Sequence, residues 1–492
     1  MIVETAFGRI KGTNENGIKV FKGIPFASPP VGELRFMPPI APMSWEGVKD
    51  CSKYGYACPQ NKALSSFLDP QEEKNEDCLY LNIWTPNADD KKRPVVLWVH
   101  GGAFQTGSGS TSCRGDAFAD KDIVCVTTNY RLGVLGFLQL DEYFGERYKE
   151  SGNCGILDLV AALKWIKNNI KEFGGDPNNI TVMGQSAGAK QIGGLLTMKT
   201  AKGLFHKVIL QSGSTQAIRD INTARRVADN IIKDFGLTKE TAKELLTMST
   251  EKIVEVENKV ISGAKTIHIY GPVFDGINFA EDSALDIIAT GEATSVPILI
   301  GTNKDEAVFF LNSGLKTLSK EVAETFFGEN AKAALRAHKY ILDNVTTMSE
   351  KEDAHISMLS DYIYRIAGIQ MTRQYLVRNP DLSIFMYRFD WDKSPLKASH
   401  CMELPFVWKA PMGDILNDLY VKKEIVPLAE RINAAWAAFI KTGEPQIPEL
   451  PKWPKFTLEN PKVMVLDSDS KIMDLQEPYI EEGFTHQVFK LW

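Results

Sequence analysis

An α/β fold is what this sequence predicts: a mostly parallel central sheet flanked by helices, with a large helical insertion. Two observations carry it. Short β-branched or aromatic runs alternate with stretches of helical periodicity, the signature of a parallel sheet with crossover helices. From about 216 to 375 the pattern turns helical and charged, as in "ARRVADNIIKDFG", with no Pro/Gly/Ser-rich linker on either side. One domain spanning 1–492, with its insertion at about 216–375, is the expected organisation.

In chain order, strands are expected at Val95–Val99, Ile123–Thr127, Ile180–Met183, Lys207–Gln211, Val296–Ile300 and Ser383–Phe389. Between the second and third, "LDLVAALKWIKNNIKEF" (157–173) repeats apolar residues at helical spacing and stops before Gly174-Gly175. The 492 residues are 44% hydrophobic and 24% charged, an ordinary globular balance. Net charge is −6 and no basic stripe is visible, which sets nucleic-acid binding aside. No run of about 18 apolar residues predicts a membrane span, and "MIVETAFGRIKG" has no basic n-region of a signal peptide. The seven cysteines include no CxxC pair and no His/Cys cluster at metal-ligand spacing; Cys125 and Cys154 sit in apolar context. A cytoplasmic protein without metal or cofactor is expected, either a monomer or a weak homo-oligomer.

The chemistry is expected at the strand ends. "TVMGQSAGAKQ" (181–191) holds Gly184-Gln185-Ser186-Ala187-Gly188, the G-x-S-x-G pattern of a strand-to-helix turn that exposes a serine hydroxyl above the sheet. So short a pattern also arises by chance, and a capping serine is the plain alternative. Its setting favours a nucleophile, because a strand precedes it and "AGAKQIGGLLTM" can start a helix.

A serine needs a base and an orienting acid, in the chain order Ser, Asp/Glu, His. Of seven histidines, His100, His206 and His268 come too early, His338 and His355 lie in charged helical patterns, and His486 lies in the C-terminal tail. That leaves His400, in a loop after the strand of "SIFMYRFDWDKSPLKASHCMELPFVW". The acid should follow the preceding strand, where "VPILIGTNKDEAVFF" offers Asp305 and Glu306. In "PVVLWVHGGAF", Gly102 permits close approach, so the backbone N–H groups of Gly102 and Ala103, joined by that of Ala187, form a candidate oxyanion hole.

At this point the sequence resembles the type-B carboxylesterases, the α/β-hydrolase branch that includes bacterial carboxylesterases and cholinesterases. The resemblance runs almost end to end. It is carried by "FKGIPFASPPVGELRF", "EDCLYLNIWTP", "LWVHGGAFQTGS", "TNYRLGVLGFL", "FGGDPNNITVMGQSAGA", "GTNKDE", "SHCMELPFVW" and "KTGEPQIPELPKWP". It implies an acyl-enzyme mechanism on small-molecule carboxylic esters, with Ser186, Glu306 and His400 as the triad and Glu306 preferred over Asp305. It further implies that Arg35 pairs with Glu76 and Arg131 with Asp158. Cys58 and Cys78 match positions that form a disulfide in many secreted relatives, a bond that a cytosolic protein can lack.

The departures are as telling. Relatives usually carry Glu before the nucleophile and Gly after the triad acid, where this chain has Gln185 and Ala307. The segment between Cys58 and Cys78 has no tryptophan, whereas cholinesterases place a cation-binding one there. Both changes point away from choline esters and towards neutral esters, with short- to medium-chain acyl groups expected. Lys190 and Gln191 replace small residues; Lys190 either snorkels to the surface or lines the pocket wall. Phe104, Gln185, Phe309, Phe310, Phe406 and Trp408 are candidates for the substrate pocket, the aromatics equally for the core. A lipase, amidase, thioesterase or carbamate hydrolase would use the same triad. A non-catalytic binding module, which usually lacks a triad member, is the remaining class.

Overall fold

The computed structural model describes residues 1–60, 73–110, 113–263, 269–279, 283–313, 315–411, 425–478 and 482–485. His268, His486 and the core of the Cys58–Cys78 segment lie outside them.

Among the described residues, eleven strands form one sheet. In chain order they are β3 (Thr13–Glu15), β4 (Ile18–Pro25), β6 (Tyr80–Thr85), β7 (Arg93–Val99), β8 (Val124–Thr128), β9 (Gly175–Gln185), β10 (Lys207–Gln211), β11 (Ile298–Asn303), β12 (Ile384–Phe389), β13 (Lys462–Leu466) and β14 (Lys471–Asp474). Their spatial order is β14-β13-β12-β11-β10-β9-β7-β8-β6-β4-β3. The run from β8 through β7, β9, β10, β11 and β12 to β13 is parallel, and the outer pairings are antiparallel. A second small sheet joins β1 (Ile2–Thr5), β2 (Gly8–Lys11) and β5 (Val48–Asp50).

The central strands are nearly continuous apolar runs because both faces are covered. Val95, Leu97, Val182 and Leu210 point into one core, while Val96, Trp98, Met183 and Ile209 point into the other. Each expected strand is present within a few residues, and the expected helix spans Cys154–Asn169, closing with a 3₁₀ turn at Ile170–Phe173. The helical stretch contains the helices Ile221–Asp234, Thr250–Gly263, Lys320–Phe327, Ala331–Asn344, Met348–Ser360 and Ile366–Arg378, and β11 passes through it. The last two are joined by a π-helical turn at Asp361–Arg365. Among the described residues, no helix is long and apolar enough to cross a membrane.

Both implied ion pairs form. Arg35 meets Glu76 through two contacts, at 2.5 and 2.9 Å, and Arg131 grips Asp158 at 2.7 and 2.9 Å. Cys58 and Cys78 are joined as a disulfide, and Cys51, Cys113, Cys125, Cys154 and Cys401 are free and buried.

Candidate active site

Ser186 stands at the tip of the turn between β9 and the helix Ala187–Thr197, with φ 55° and ψ −120°. A non-glycine residue held at positive φ is strained and persists where its surroundings fix it. Here its N–H donates to Gln211 O on β10 at 2.9 Å. The flanking glycines are explained by contact: a Cβ on Gly188 would lie 2.0 Å from Val99 O, and one on Gly184 2.8 Å from the same atom. The serine is pressed outward because no side chain fits beneath it.

The parallel strands deliver the partners to the same edge. Glu306 opens a 3₁₀ helix after β11, and its carboxylate is fully engaged. Oε1 accepts from Ser212 Oγ at 2.5 Å and Asn303 N at 2.7 Å, and Oε2 faces His400 Nδ1 at 2.6 Å. Asp305 does something else: its Oδ2 accepts from Ala398 N at 3.3 Å and its N–H donates to Ala398 O at 3.0 Å. It pins the loop that carries His400. Ser186, Glu306 and His400 are all buried.

His400 Nε2 has two side-chain neighbours, the Tyr364 hydroxyl at 3.2 Å and Gln185 Nε2 at 3.3 Å. The Tyr364 ring also stacks on the imidazole, with centroids 4.7 Å apart. Tyr364 comes from the π-helical turn, a device that re-aims a side chain and recurs at functional sites. Burial, followed by the charge of Glu306, pushes its phenol well above the ordinary range, so it stays a neutral hydroxyl. Nearby, Glu403 accepts from Asn303 Nδ2 at 2.8 Å and Gln211 Nε2 at 3.1 Å. Burial first, and Glu306 second, raise its carboxyl to about 6.

Gly102, Ala103 and Phe104 follow one another at positive φ (106°, 55° and 63°). A Cβ on Gly102 would lie 2.1 Å from Thr106 O, and one on Gly101 only 3.2 Å from Ser186 Cβ. The loop therefore runs against Ser186. Among the described residues, the N–H groups of Gly102, Ala103 and Ala187 have no protein acceptor.

The family model described as the carboxylesterase family matches residues 1–484. The chain belongs to the carboxylesterase family. It is 36% identical to the para-nitrobenzyl esterase of Bacillus subtilis (strain 168), with 96% of each chain covered. It is 33% identical to the phenmedipham hydrolase of Pseudarthrobacter oxydans, with 95% of each covered. A solved carboxylesterase structure from Geobacillus stearothermophilus superposes with a TM-score of 0.85 at 37% identity, covering 96% of this chain and 97% of that one. The protein is a carboxylic-ester hydrolase of the α/β-hydrolase fold.

Within this carboxylesterase the aromatic candidates separate. Phe309 and Phe310 set their rings against His400, with centroids 5.8 and 5.4 Å away. Phe406 instead packs between Phe389 and Trp391, and Trp408 against Trp98 and Phe118, so both belong to the core. Phe104 is buried and packs on Phe137. Lys190 does not snorkel; it is 3% exposed, with its ammonium over the Tyr364 ring. Ala307 donates its N–H to Ser360 Oγ, and nothing in the structure explains Gln191.

Tyr364, Ser212 and Glu403 were not found from sequence. Tyr364 sits in a charged helical stretch, and nothing in its spacing marks a π-turn.

Gln185 also donates to Cys401 Sγ at 3.2 Å, so its amide faces the imidazole without charge. Gln185→Glu puts a carboxylate beside Nε2. Butyrylcholine should then gain about tenfold in kcat/KM over its neutral isostere 3,3-dimethylbutyl butyrate. An equal response of the two substrates rejects a role for this charge in selectivity.

Proposed function

We propose that the enzyme hydrolyses neutral, short- to medium-chain carboxylic esters through an acyl-enzyme on Ser186. The observation that carries this is the 2.6 Å contact of Glu306 Oε2 with His400 Nδ1, at the strand edge where Ser186 is held in its strained turn. Nδ1 gives its proton to the hydrogen bond with Glu306, which leaves Nε2 as the base. As Ser186 Oγ attacks the ester carbonyl, Nε2 takes the hydroxyl proton. The carbonyl oxygen, now an anion, is received by the free N–H groups of Gly102, Ala103 and Ala187. The imidazolium, stabilised by Glu306, then protonates the departing alcohol. A water activated by the same nitrogen hydrolyses the acyl-enzyme. Before substrate arrives, Nε2 is met by the Tyr364 hydroxyl at 3.2 Å; a direct serine–histidine bond forms as the site fills, since such bonds tighten in the Michaelis complex.

We place the enzyme in the cytoplasm as a monomer or weak homo-oligomer. The five unpaired thiols support that compartment, and the Cys58–Cys78 bond counts against it.

Hydrolysis of p-nitrophenyl acetate, butyrate, octanoate and palmitate by the wild type and Ser186→Ala tests the reading. Acetate and butyrate should be preferred, and the variant should lose about 10⁴-fold or more in kcat. Residual activity within tenfold of wild type would remove Ser186 as nucleophile, and preference for palmitate would make the enzyme a lipase.

A further inference from the structure

Lys190 lies one turn beyond Ser186 on the helix Ala187–Thr197, with its backbone N–H on Ser186 O at 2.9 Å. Among the described residues its ammonium makes no hydrogen bond and no salt bridge. Its neighbour is the face of the Tyr364 ring, whose centroid is 5.1 Å away. The hydroxyl of that same ring meets His400 Nε2 at 3.2 Å. The cation thus stands one aromatic ring away from the reacting atoms.

Two charged groups act on it, Glu306 and Arg219. Glu306 attracts it, but both carboxylate oxygens of Glu306 are already taken by Ser212, Asn303 and His400. Arg219, also 3% exposed, is a second buried cation and repels it. Burial outweighs the attraction and lowers Lys190 to about 8, so much of it remains protonated at neutral pH. Gln185, on the other side of Ser186, adds no negative charge. A buried ammonium is costly unless an anion meets it. Among the described residues no carboxylate pairs with it, and the reacting atoms, one aromatic ring away, are where a substrate would bring an anion.

We propose that Lys190 binds a carboxylate carried by the substrate, so that the preferred esters bear an anionic group close to the scissile bond, half-esters of dicarboxylic acids being the simplest. This rests on the esterase assignment above and narrows its substrate class: neutral esters are turned over, and anionic ones are favoured.

The test compares kcat/KM within pairs matched in size. p-Nitrophenyl hemiglutarate against p-nitrophenyl valerate places the charge on the acyl side; 4-acetoxybenzoate against phenyl acetate places it on the alcohol side. The wild type should favour the anionic member of at least one pair by about 10- to 100-fold. In Lys190→Met that ratio should collapse towards one. The arm that responds says which side of the ester faces Lys190. Should the variant fail to fold, the wild type alone still decides, because glutarate should inhibit p-nitrophenyl butyrate hydrolysis at least tenfold more tightly than its neutral diamide, glutaramide, does. Ratios near one in both pairs, or a ratio unchanged in Lys190→Met, overturn the inference. If neutral esters are then still cleaved in a Ser186-dependent way, the esterase reading survives. If no ester is cleaved at all, that reading fails first.

Discussion

Glu306→Gln lowers kcat about 10⁴-fold while the protein stays folded. The reason is a matter of donors. Oε1 of Glu306 receives two hydrogen bonds, from Ser212 Oγ and from the backbone N–H of Asn303. In the amide variant, the carbonyl oxygen must take that place, because an NH₂ group there would face the Asn303 donor head-on. The NH₂ is then turned towards His400 Nδ1, which must accept rather than donate. The imidazole proton moves to Nε2, the atom that has to take the proton of Ser186. A base with the wrong tautomer is no base. Almost nothing changes in volume, so the loss should fall on kcat with KM within a few-fold and thermal stability close to wild type. Asp305→Asn is the control. Asp305 pins the Ala398 backbone and does not reach the imidazole, so its replacement should cost less than tenfold. A Glu306→Gln enzyme within tenfold of wild type would mean that His400 does not need this carboxylate, and the proposed triad would be wrong.

Much of this centre was legible because it is written in backbone terms. Gly184, Ser186 and Gly188 are spaced by a turn that has no room for Cβ atoms, and the apolar runs on either side mark the strand and helix that make it. The order of serine, acid and histidine follows from the order in which parallel strands reach one edge. His400 could be picked out because it follows a strand, whereas His338 and His355 are on helices, where their rings meet at a tilt of 59° with centroids 4.8 Å apart. What the pattern could not reveal depends on side-chain direction within irregular or helical backbone. Tyr364 reaches the imidazole because a π-turn advances it, and periodicity cannot distinguish one extra residue per turn from a normal helix. Phe406 and Phe310 are equally aromatic, and each follows a residue of the proposed triad within six positions. Only the direction of the local helix sends Phe310 to His400 and Phe406 into the core beneath the sheet. The same holds for Lys190: a lysine in an otherwise apolar helix reads as snorkelling until the packing shows it only 3% exposed, against the Tyr364 ring.

Arg131→Met should destabilise the fold by about 3–5 kcal/mol, the largest single effect on stability expected here. Arg131 and Asp158 are 3% and 0% exposed, and they join the turn after β8 to the helix Cys154–Asn169. The carboxylate takes Nε and the backbone N–H of Arg131 on Oδ2, both at 2.9 Å, and Nη2 on Oδ1 at 2.7 Å. Nη1 is satisfied by Met37 O at 2.8 Å. Methionine fills similar space but leaves Asp158 as an unpaired charge inside the protein. Already in the wild type, burial raises the Asp158 carboxyl in spite of the opposing pull of Arg131. Without that pull its folded-state pKa rises further above the unfolded value. The folded variant then holds a proton that the unfolded chain releases, so its stability falls as pH rises through the folded pKa. Urea midpoints at about pH 5 and about pH 8 should therefore show a larger deficit at the higher value. Adding Asp158→Asn removes the lone charge while keeping an oxygen for the Arg131 backbone N–H. The double variant should accordingly be more stable than Arg131→Met alone. A deficit under about 1 kcal/mol, or one that does not change with pH, would mean that water or a local rearrangement solvates Asp158. The pair would then be a contact the fold can do without.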